Sequence, residues 1–231
     1  MSKLIQIPCV TRLFFPETSE KLIQLVKSID SQYQIIENDT CCGLPFFEKG
    51  DLKNAKKTGE FQLKNLQNNT VISCGKRCSE TFQKHYTQLF NNTVSHNEAI
   101  AFSKQVTDFN NLIEQLKINN ADKITGTYFY IFDCYGDLPL QEKWLNLFSK
   151  VEWHTSTLKI TCCGAGTCLP VSNQELSFKL AEELANQIIE LNISNVVFAD
   201  DICRFHFMNY CKSKQLSLNC VHIIDLLHQA K

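Results

Sequence analysis

The sequence predicts an α/β protein built as two tandem, duplicated parallel-sheet units with helices packed on the sheets. Three observations predict it. The tetrapeptide "TCCG" occurs at residues 40–43 and again at 161–164. Around each copy, short runs rich in Ile, Val, Phe or Tyr lead into cysteines, which is how a buried strand reads. In the first half "KLIQIPC", "YQIIENDTCCG" and "NNTVISC" lead into Cys9, Cys41 with Cys42, and Cys74. In the second, "TYFYIFDC", "STLKITCCG" and "SNVVFADDIC" lead into Cys134, Cys162 with Cys163, and Cys203. The equivalents lie 125, 121 and 129 positions apart, differences of loop size. Helical patterns separate the runs, and strand, helix, strand, helix, strand in each half gives a parallel sheet with right-handed connections.

The elements follow in order. Leu22, Leu25, Val26 and Ile29 fall at i, i+3, i+4 and i+7 and mark one helix. Asp51 is placed to start another, with Leu52, Ala55, Leu63 and Leu66 inward. A third helix is expected around residues 98–116. The polar stretch "KINNADKITG", residues 117–126, then separates a first repeat over residues 1–118 from a second over 126–231. In the second repeat Leu176, Leu180, Leu184, Ile188 and Leu191 mark a longer helix opened by a capping box from Ser172 to Glu175. The Phe-rich segments "RLFF" and "LPFFE" are expected in the core.

Composition narrows the function. Charged residues make up 20% and the formal charge is -1, so no basic field exists to attract nucleic acid or an anionic membrane. Pro8, Arg12 and Pro16 interrupt the N-terminus where a signal peptide needs an apolar core, and nowhere do 18 apolar residues run together. The chain reads as soluble and cytoplasmic. In that reducing setting, twelve cysteines point to metal binding or redox chemistry rather than structural bridges. The sequons at Asn38, Asn68, Asn91 and Asn192 are what an Asn-rich chain produces by chance, and "GAG" at 164–166 lacks the third glycine of a dinucleotide loop.

Ligands of open parallel sheets gather outside the carboxyl ends of the strands, so the cysteines of each half converge without being close in sequence. Adjacent cysteines on a strand face opposite ways, but in a turn beyond it they diverge around a shared object. No Cys-x-x-Cys occurs, the pair a zinc site usually draws. An iron-sulfur cluster accepts neighbouring thiolates on different irons, and Gly43 and Gly164 let the backbone approach it. Cys211 and Cys220 lie outside the repeat and read as small buried apolar residues, and His206 as a surface or core histidine.

The pattern Cys, then Cys-Cys-Gly, then further Cys, twice per chain, resembles the cysteine-rich CCG proteins. "PCVTRLFFPE", "TCCGLPFFEKGDLKNAKK", "SC" at 73–74, "TCCGAGT", "ADDIC" and "CVHIIDLL" carry the resemblance over nearly the whole chain. It is strongest toward the lactate-utilisation iron-sulfur protein A group, with the CCG-bearing component of heterodisulfide reductase more distant. The resemblance implies one or two 4Fe-4S clusters per chain. The first would use Cys9, Cys41, Cys42 and Cys74, with Cys78 as a further candidate; the second would use Cys134, Cys162, Cys163 and Cys203. It implies an iron-sulfur oxidoreductase subunit that transfers electrons in L-lactate oxidation with ferredoxin-like partner subunits and is not active alone. The alternatives are a heterodisulfide-reductase-like thiol/disulfide redox subunit and a metal-binding scaffold without redox activity. The sequence departs from the family at Phe132 and Tyr135, which flank Cys134 where His is common, at the additional Cys168, at the four-residue spacing of Cys74 and Cys78, and at His206, where a cysteine is expected.

Overall fold

Short β-branched and aromatic runs bury well on both faces only when helices cover both sides, and the chain uses them in two parallel sheets. The computed structural model describes residues 2–36, 40–156, 162–166 and 168–231. They fold as two units, Met1–Leu116 and Lys117–Lys231.

In the first unit β1 (Lys3–Gln6), β2 (Gln34–Ile35), β3 (Thr70–Ser73) and β4 (Val106–Asp108) pair in the order β2-β1-β3-β4, all parallel. In the second, β5 (Gly126–Ile131), β6 (Val151–Thr155), β7 (Asn195–Phe198) and β8 (Asn219–His222) repeat that order as β6-β5-β7-β8. The α/β class and the duplication are therefore as expected, with four strands per unit where the runs suggested three. The added strands are short edges whose buried positions include the polar Asp108 and His222, so they give little apolar signal. β4 also interrupts the helix expected over residues 98–116: the helix there ends at Ser103, and a 3-10 segment, Phe109–Gln115, follows the strand. The run "STLKI" precedes Cys162 only as sequence, because residues 157–161 lie outside the described residues, as does Asn38. The polar stretch 117–126 falls within the second unit, where the amides of Asn119 and Asn120 donate to the carbonyl of Ala230 at 3.1 and 2.8 Å.

Helices follow each strand end of the first unit at which its cysteines lie. α1 (Cys9–Phe14) begins at Cys9 and leads into α2 (Pro16–Ile29), which buries Leu22, Leu25 and Val26. α3 (Leu44–Glu48) follows the first Cys-Cys-Gly, and α4 (Leu52–Leu66) is capped by Asp51, whose carboxylate accepts from the Asn54 amide. α4 buries Ala55, Leu63 and Leu66 as expected, while Leu52, on its first turn, is 50% exposed. After β3 a nearly continuous helical stretch runs through α5 (Lys76–Glu80), a π turn at Thr81–His85 and α6 (Tyr86–Leu89), and α7 (His96–Ser103) packs beside it. The "RLFF" and "LPFFE" segments are not core: Leu13, Phe14 and Phe46 are exposed, and Leu44 alone of the second segment is fully buried. α1 is too short to present an apolar stripe, and Thr11 is its buried residue.

The second unit carries α8 (Leu138–Asn146), α9 (Leu169–Ser172), α10 (Gln174–Glu190), α11 (Asp201–Ser213) and α12 (Ile223–Gln229). The cap of α10 is Asn173, which accepts from the Leu176 amide, rather than Ser172, whose hydroxyl donates to the carbonyl of Cys168 at 3.2 Å. The buried face also differs from the leucine pattern: Leu176 and Leu191 are exposed, and Ser177, Ala181, Leu184, Ala185 and Ile188 face inward. Small residues on that face let α10 lie close to its neighbours, a signal that a search for leucines misses. Among the described residues no helix is long and apolar enough to cross a membrane.

In both sheets the chain leaves the first strand to one side and returns to the other. The crevice between the carboxyl ends of β1 and β3, or of β5 and β7, is thus the switch point where ligands of such sheets bind. Gly75 shows how closely the loops meet there, since a Cβ on it would lie 2.4 Å from Cγ of Pro8.

The observed capping predicts that Asn173→Ala lowers the stability of the second unit by about 1 kcal/mol, whereas Ser172→Ala changes it by a few tenths at most. Chemical denaturation of the two variants checks this; equal losses would contradict the assignment of the cap.

Candidate metal centre

The first Cys-Cys-Gly forms a tight turn. Gly43 has φ 87° and ψ 0°, its amide donates back to Sγ of Cys41 at 3.4 Å, and its carbonyl accepts from the amides of Phe46 and Phe47, both at 3.1 Å, to begin α3. Side chains from the helices hold the other carbonyls of the loop. Tyr86 donates its hydroxyl to the carbonyl of Cys42 at 2.8 Å, and Nε2 of Gln62 donates to the carbonyl of Thr40 at 2.8 Å. The ion pair of Arg77 with Glu48, 3.1 Å and nearly buried, ties α5 to α3. A buried pair of this kind is expensive to break, because one charge is left without its partner.

These elements bring four sulfurs together as a row of interacting neighbours, Cys9 with Cys41, Cys41 with Cys42, and Cys42 with Cys78. The contact with Cys42 pushes the Cys41 thiol up to about 11, against a lowering contact from Cys9 and with burial adding to the rise. Cys9 is raised by its contact with Cys41 and then by burial. The contact with Cys41 lowers Cys42, but Cys78 and complete burial outweigh it and leave that thiol raised. A metal entering here must therefore displace protons, since the thiolate is the ligand. Cys74 lies outside the row: burial raises its thiol, and Asp108 adds to the rise. Asp108 is itself buried and raised by that burial, and it accepts a short hydrogen bond from the hydroxyl of Ser79.

The second unit repeats the turn. Gly164 has φ 85°, and its amide donates to Sγ of Cys162 at 3.3 Å. Sγ of Cys163 and Sγ of Cys203 lie 2.7 Å apart, both buried, and the Cys203 thiol is raised by that contact and by burial. Asp200 caps α11 by accepting from the amides of Ile202 and Cys203 at 2.6 and 3.4 Å, which fixes Cys203 on its first turn. Gln141 grips the loop of Cys134, accepting from the amide of Asp133 at 2.7 Å and donating to its carbonyl at 3.0 Å. Cys134 and Cys162 are exposed at their loops. Cys168 is half-buried and caps α9 in a left-handed conformation, φ 56°.

The sheet register corrects one equivalence. Gln6 pairs with Ser73 across β1 and β3, and Ile131 with Phe198 across β5 and β7, so one offset of 125 positions relates both strands of each pair. That offset carries Cys9 to Cys134 and Cys78 to Cys203, and it carries Cys74 to Ala199. Cys78 and Cys203 both stand third in their helices, each against the second cysteine of its doublet. The sequence pairing of Cys74 with Cys203 followed the strand-end pattern; the constant offset was the signal for the other choice. Cys211 and Cys220 are buried as expected. Tyr86, Gln62, Ser177 and Gln141, which hold the loops, carry no motif and become visible only in three dimensions.

The donors are all sulfur, the soft set that selects zinc, copper(I) or iron-sulfur clusters. Among the described residues no three His, Cys, Asp or Glu side chains converge on a point that would hold one metal ion.

The glycine turns and the buried thiols each make a testable prediction. A Cβ on Gly43 would meet Thr58 at 3.4 Å, whereas one on Gly164 would lie 2.3 Å from the carbonyl oxygen of Ser177. Gly43→Ala should thus cost about 1–2 kcal/mol for the left-handed conformation alone, and Gly164→Ala roughly 2–5 kcal/mol, by thermal unfolding. Burial also pushes the thiols of Cys211 and Cys220 up to about 11 and about 12. The neutral thiol is favoured by folding, so this contribution is complete below about pH 8.5, the unfolded value, and is lost as pH rises through the folded values. The melting temperature of the metal-free protein should fall steadily above that pH, and a flat profile would contradict the burial assigned to these thiols.

Comparison with known proteins agrees with this picture. The family model described as CCG, cysteine-rich domain, matches residues 4–83 and 139–208. Lactate utilization protein A of Macrococcus caseolyticus is 23% identical over 230 residues, covering 95% of this chain and 93% of that protein. Lactate utilization protein A 2 of Bacillus cereus is 22% identical over 232 residues, covering 96% and 95%, and lactate utilization protein A of Oceanobacillus iheyensis is 21% identical, covering 96% and 94%. A solved Yersinia pestis chain described as an Asp/Glu racemase candidate aligns over 100% of this chain and 97% of its own at 9% identity, but its TM-score of 0.38 carries no argument. The two stretches that match the family model make up more than half of the chain and contain both Cys-Cys-Gly turns, so the chain belongs to the CCG cysteine-rich domain family.

Proposed function

We propose that the chain is an iron-sulfur component of an oxidoreductase that carries electrons in L-lactate oxidation and works in the cytoplasm with ferredoxin-like partner subunits. The observation that carries the reading is the row of sulfurs from Cys9 through Cys41 and Cys42 to Cys78, with the Cys163 and Cys203 pair as its counterpart. A row of separate sulfurs suits a cluster, in which each thiolate takes its own iron, better than one tetrahedral ion. In this reading Cys9, Cys41, Cys42 and Cys78 hold the first cluster, with Cys74 beside it, and Cys134, Cys162, Cys163 and Cys203 hold the second. A bound 4Fe-4S cluster would supply reversible one-electron transfer.

The chain's own residues would set the conditions of that transfer. The amides of Gly43 and Gly164 donate to Sγ of Cys41 and Cys162, the kind of hydrogen bond that tunes a cluster's potential. Burial of Cys42, Cys78, Cys163 and Cys203 keeps water from one side, and the exposed Cys134 and Cys162 leave the other side of the second site approachable by a partner. The name of the relatives, lactate utilization protein A, supports lactate as the source of electrons. A second reading, thiol/disulfide chemistry of the heterodisulfide-reductase kind, is favoured by the 2.7 Å approach of Cys163 and Cys203.

Anaerobic purification followed by iron, sulfide and zinc analysis tests the proposal. The account expects a brown protein with about eight irons, four per cluster, falling by about half in Cys41→Ser and in Cys162→Ser. Colourless protein, or zinc unaffected by either substitution, would reject it in favour of a scaffold without redox activity. With partner subunits added, reduction of the clusters by L-lactate supports the first reading, and oxidation of the clusters by a disulfide in its place supports the second.

A further inference from the structure

The second Cys-Cys-Gly turn is tied to the helix that carries Cys203 by a buried relay with no counterpart among the described residues of the first unit. The carbonyl of Gly164 accepts the hydroxyl proton of Ser177 at 2.7 Å. Ser177 is fully buried, and its Oγ lies 3.1 Å from Nε2 of His206, which is 6% exposed. A hydroxyl has one proton to give. With that proton committed to Gly164, Nε2 of His206 must be the donor to Oγ. The carbonyl oxygen of Ser177, 3.4 Å from the same nitrogen, can likewise only accept. Both neighbours therefore assign the ring proton to Nε2. The Phe178 ring, its centroid 5.9 Å from that of the imidazole, flanks it.

His206 stands three residues after Cys203 on α11, so the two share a helix face. α11 thus meets the loop twice, through Sγ of Cys203 on Sγ of Cys163, and through His206 and Ser177 on the next carbonyl along. The offset that relates the units places Thr81 opposite His206, and the Thr81 hydroxyl donates to the carbonyl of Arg77 at 2.7 Å within its own helical stretch. In the first unit Tyr86 and Gln62 hold the loop carbonyls instead.

We infer that His206 is a positioning residue for the second cysteine doublet: acting through Ser177, it fixes the carbonyl of Gly164, and with it the Gly164–Ala165 peptide that closes the turn behind Cys162 and Cys163. The inference deepens the iron-sulfur reading and rests on it for its consequence in the loaded protein, but the positioning itself is a property of the metal-free chain.

The test is the rate at which iodoacetamide alkylates each cysteine of the metal-free protein, read by peptide mass spectrometry, in wild type, His206→Leu, His206→Gln and Ser177→Ala. The glutamine amide keeps an N–H donor near the position of Nε2; leucine keeps bulk and loses the donor. Alkylation of Cys163 should rise about tenfold in His206→Leu and in Ser177→Ala, the effect of losing one buried hydrogen bond. It should return toward the wild-type rate in His206→Gln, with Cys42 unchanged throughout. An unchanged Cys163 in His206→Leu overturns the inference. So does a rise shared by Cys42, which marks general loss of packing, or a failure of glutamine to rescue. After anaerobic loading with iron and sulfide, His206→Leu should lose iron from the second site selectively. If wild type takes up no iron while the alkylation pattern holds, the iron-sulfur reading fails and the positioning role stands.

Discussion

A glycine held at positive φ behind two adjacent cysteines is the constraint on which the rest of each unit depends. At Gly43 and Gly164 the chain turns back so that the glycine amide reaches the first sulfur of the doublet while the second sulfur goes into the core. An L side chain pays for this conformation at both positions, and at Gly164 the carbonyl of Ser177 also occupies the space that a Cβ would need. The turn has meaning only because of the sheet order, which brings the loops after the first and third strands to the same crevice. Cys9 and Cys78 reach the first doublet from those two loops, so sulfurs from three separate stretches of chain meet.

The units meet this constraint with different supporting side chains. In the first, a tyrosine and a glutamine hold the loop carbonyls, and the Arg77 and Glu48 pair binds the neighbouring helices. In the second, a serine holds the carbonyl of the turn glycine, Gly164. Helix α11 is anchored at its start by Asp200 and by Arg204, whose guanidinium faces Asp201 and Asp225 at 3.4 and 3.7 Å. Duplicated units need to keep the ligand geometry, and different side chains on different carbonyls of the loop can hold it. The Cys41 and Cys203 thiols are held neutral by their sulfur neighbours and by burial, so the cost of charging them falls on metal binding, which must release their protons.

Much of the fold was legible in the sequence because it was written twice. The repeated Cys-Cys-Gly, the apolar runs before it and the near-constant offsets predict two parallel sheets and the convergence of cysteines from loops distant in sequence. What escaped was polar or lacked a periodic signal. β4 and β8 bury the polar Asp108 and His222; β4 falls inside the stretch read as a helix, and β8 carries no apolar run that marks it as a strand. α10 turns Ala181 and Ala185 inward, where leucines seemed to mark the face. Leu13 and Phe14 looked like core, but α1 ends before it can bury them. Cys74 was matched with Cys203 because both follow an apolar run; helix position and register match Cys78 instead.

That last distinction carries the central proposal, that Cys78 from the helix rather than Cys74 from the strand end completes the first site. The direct measurement is the iron content of anaerobically prepared Cys78→Ser beside Cys74→Ser, with the visible spectrum of each. The account predicts that Cys78→Ser loses about half of the iron, one of two four-iron clusters, while Cys74→Ser retains it. Full iron in Cys78→Ser together with loss in Cys74→Ser would contradict the ligand set read from the geometry.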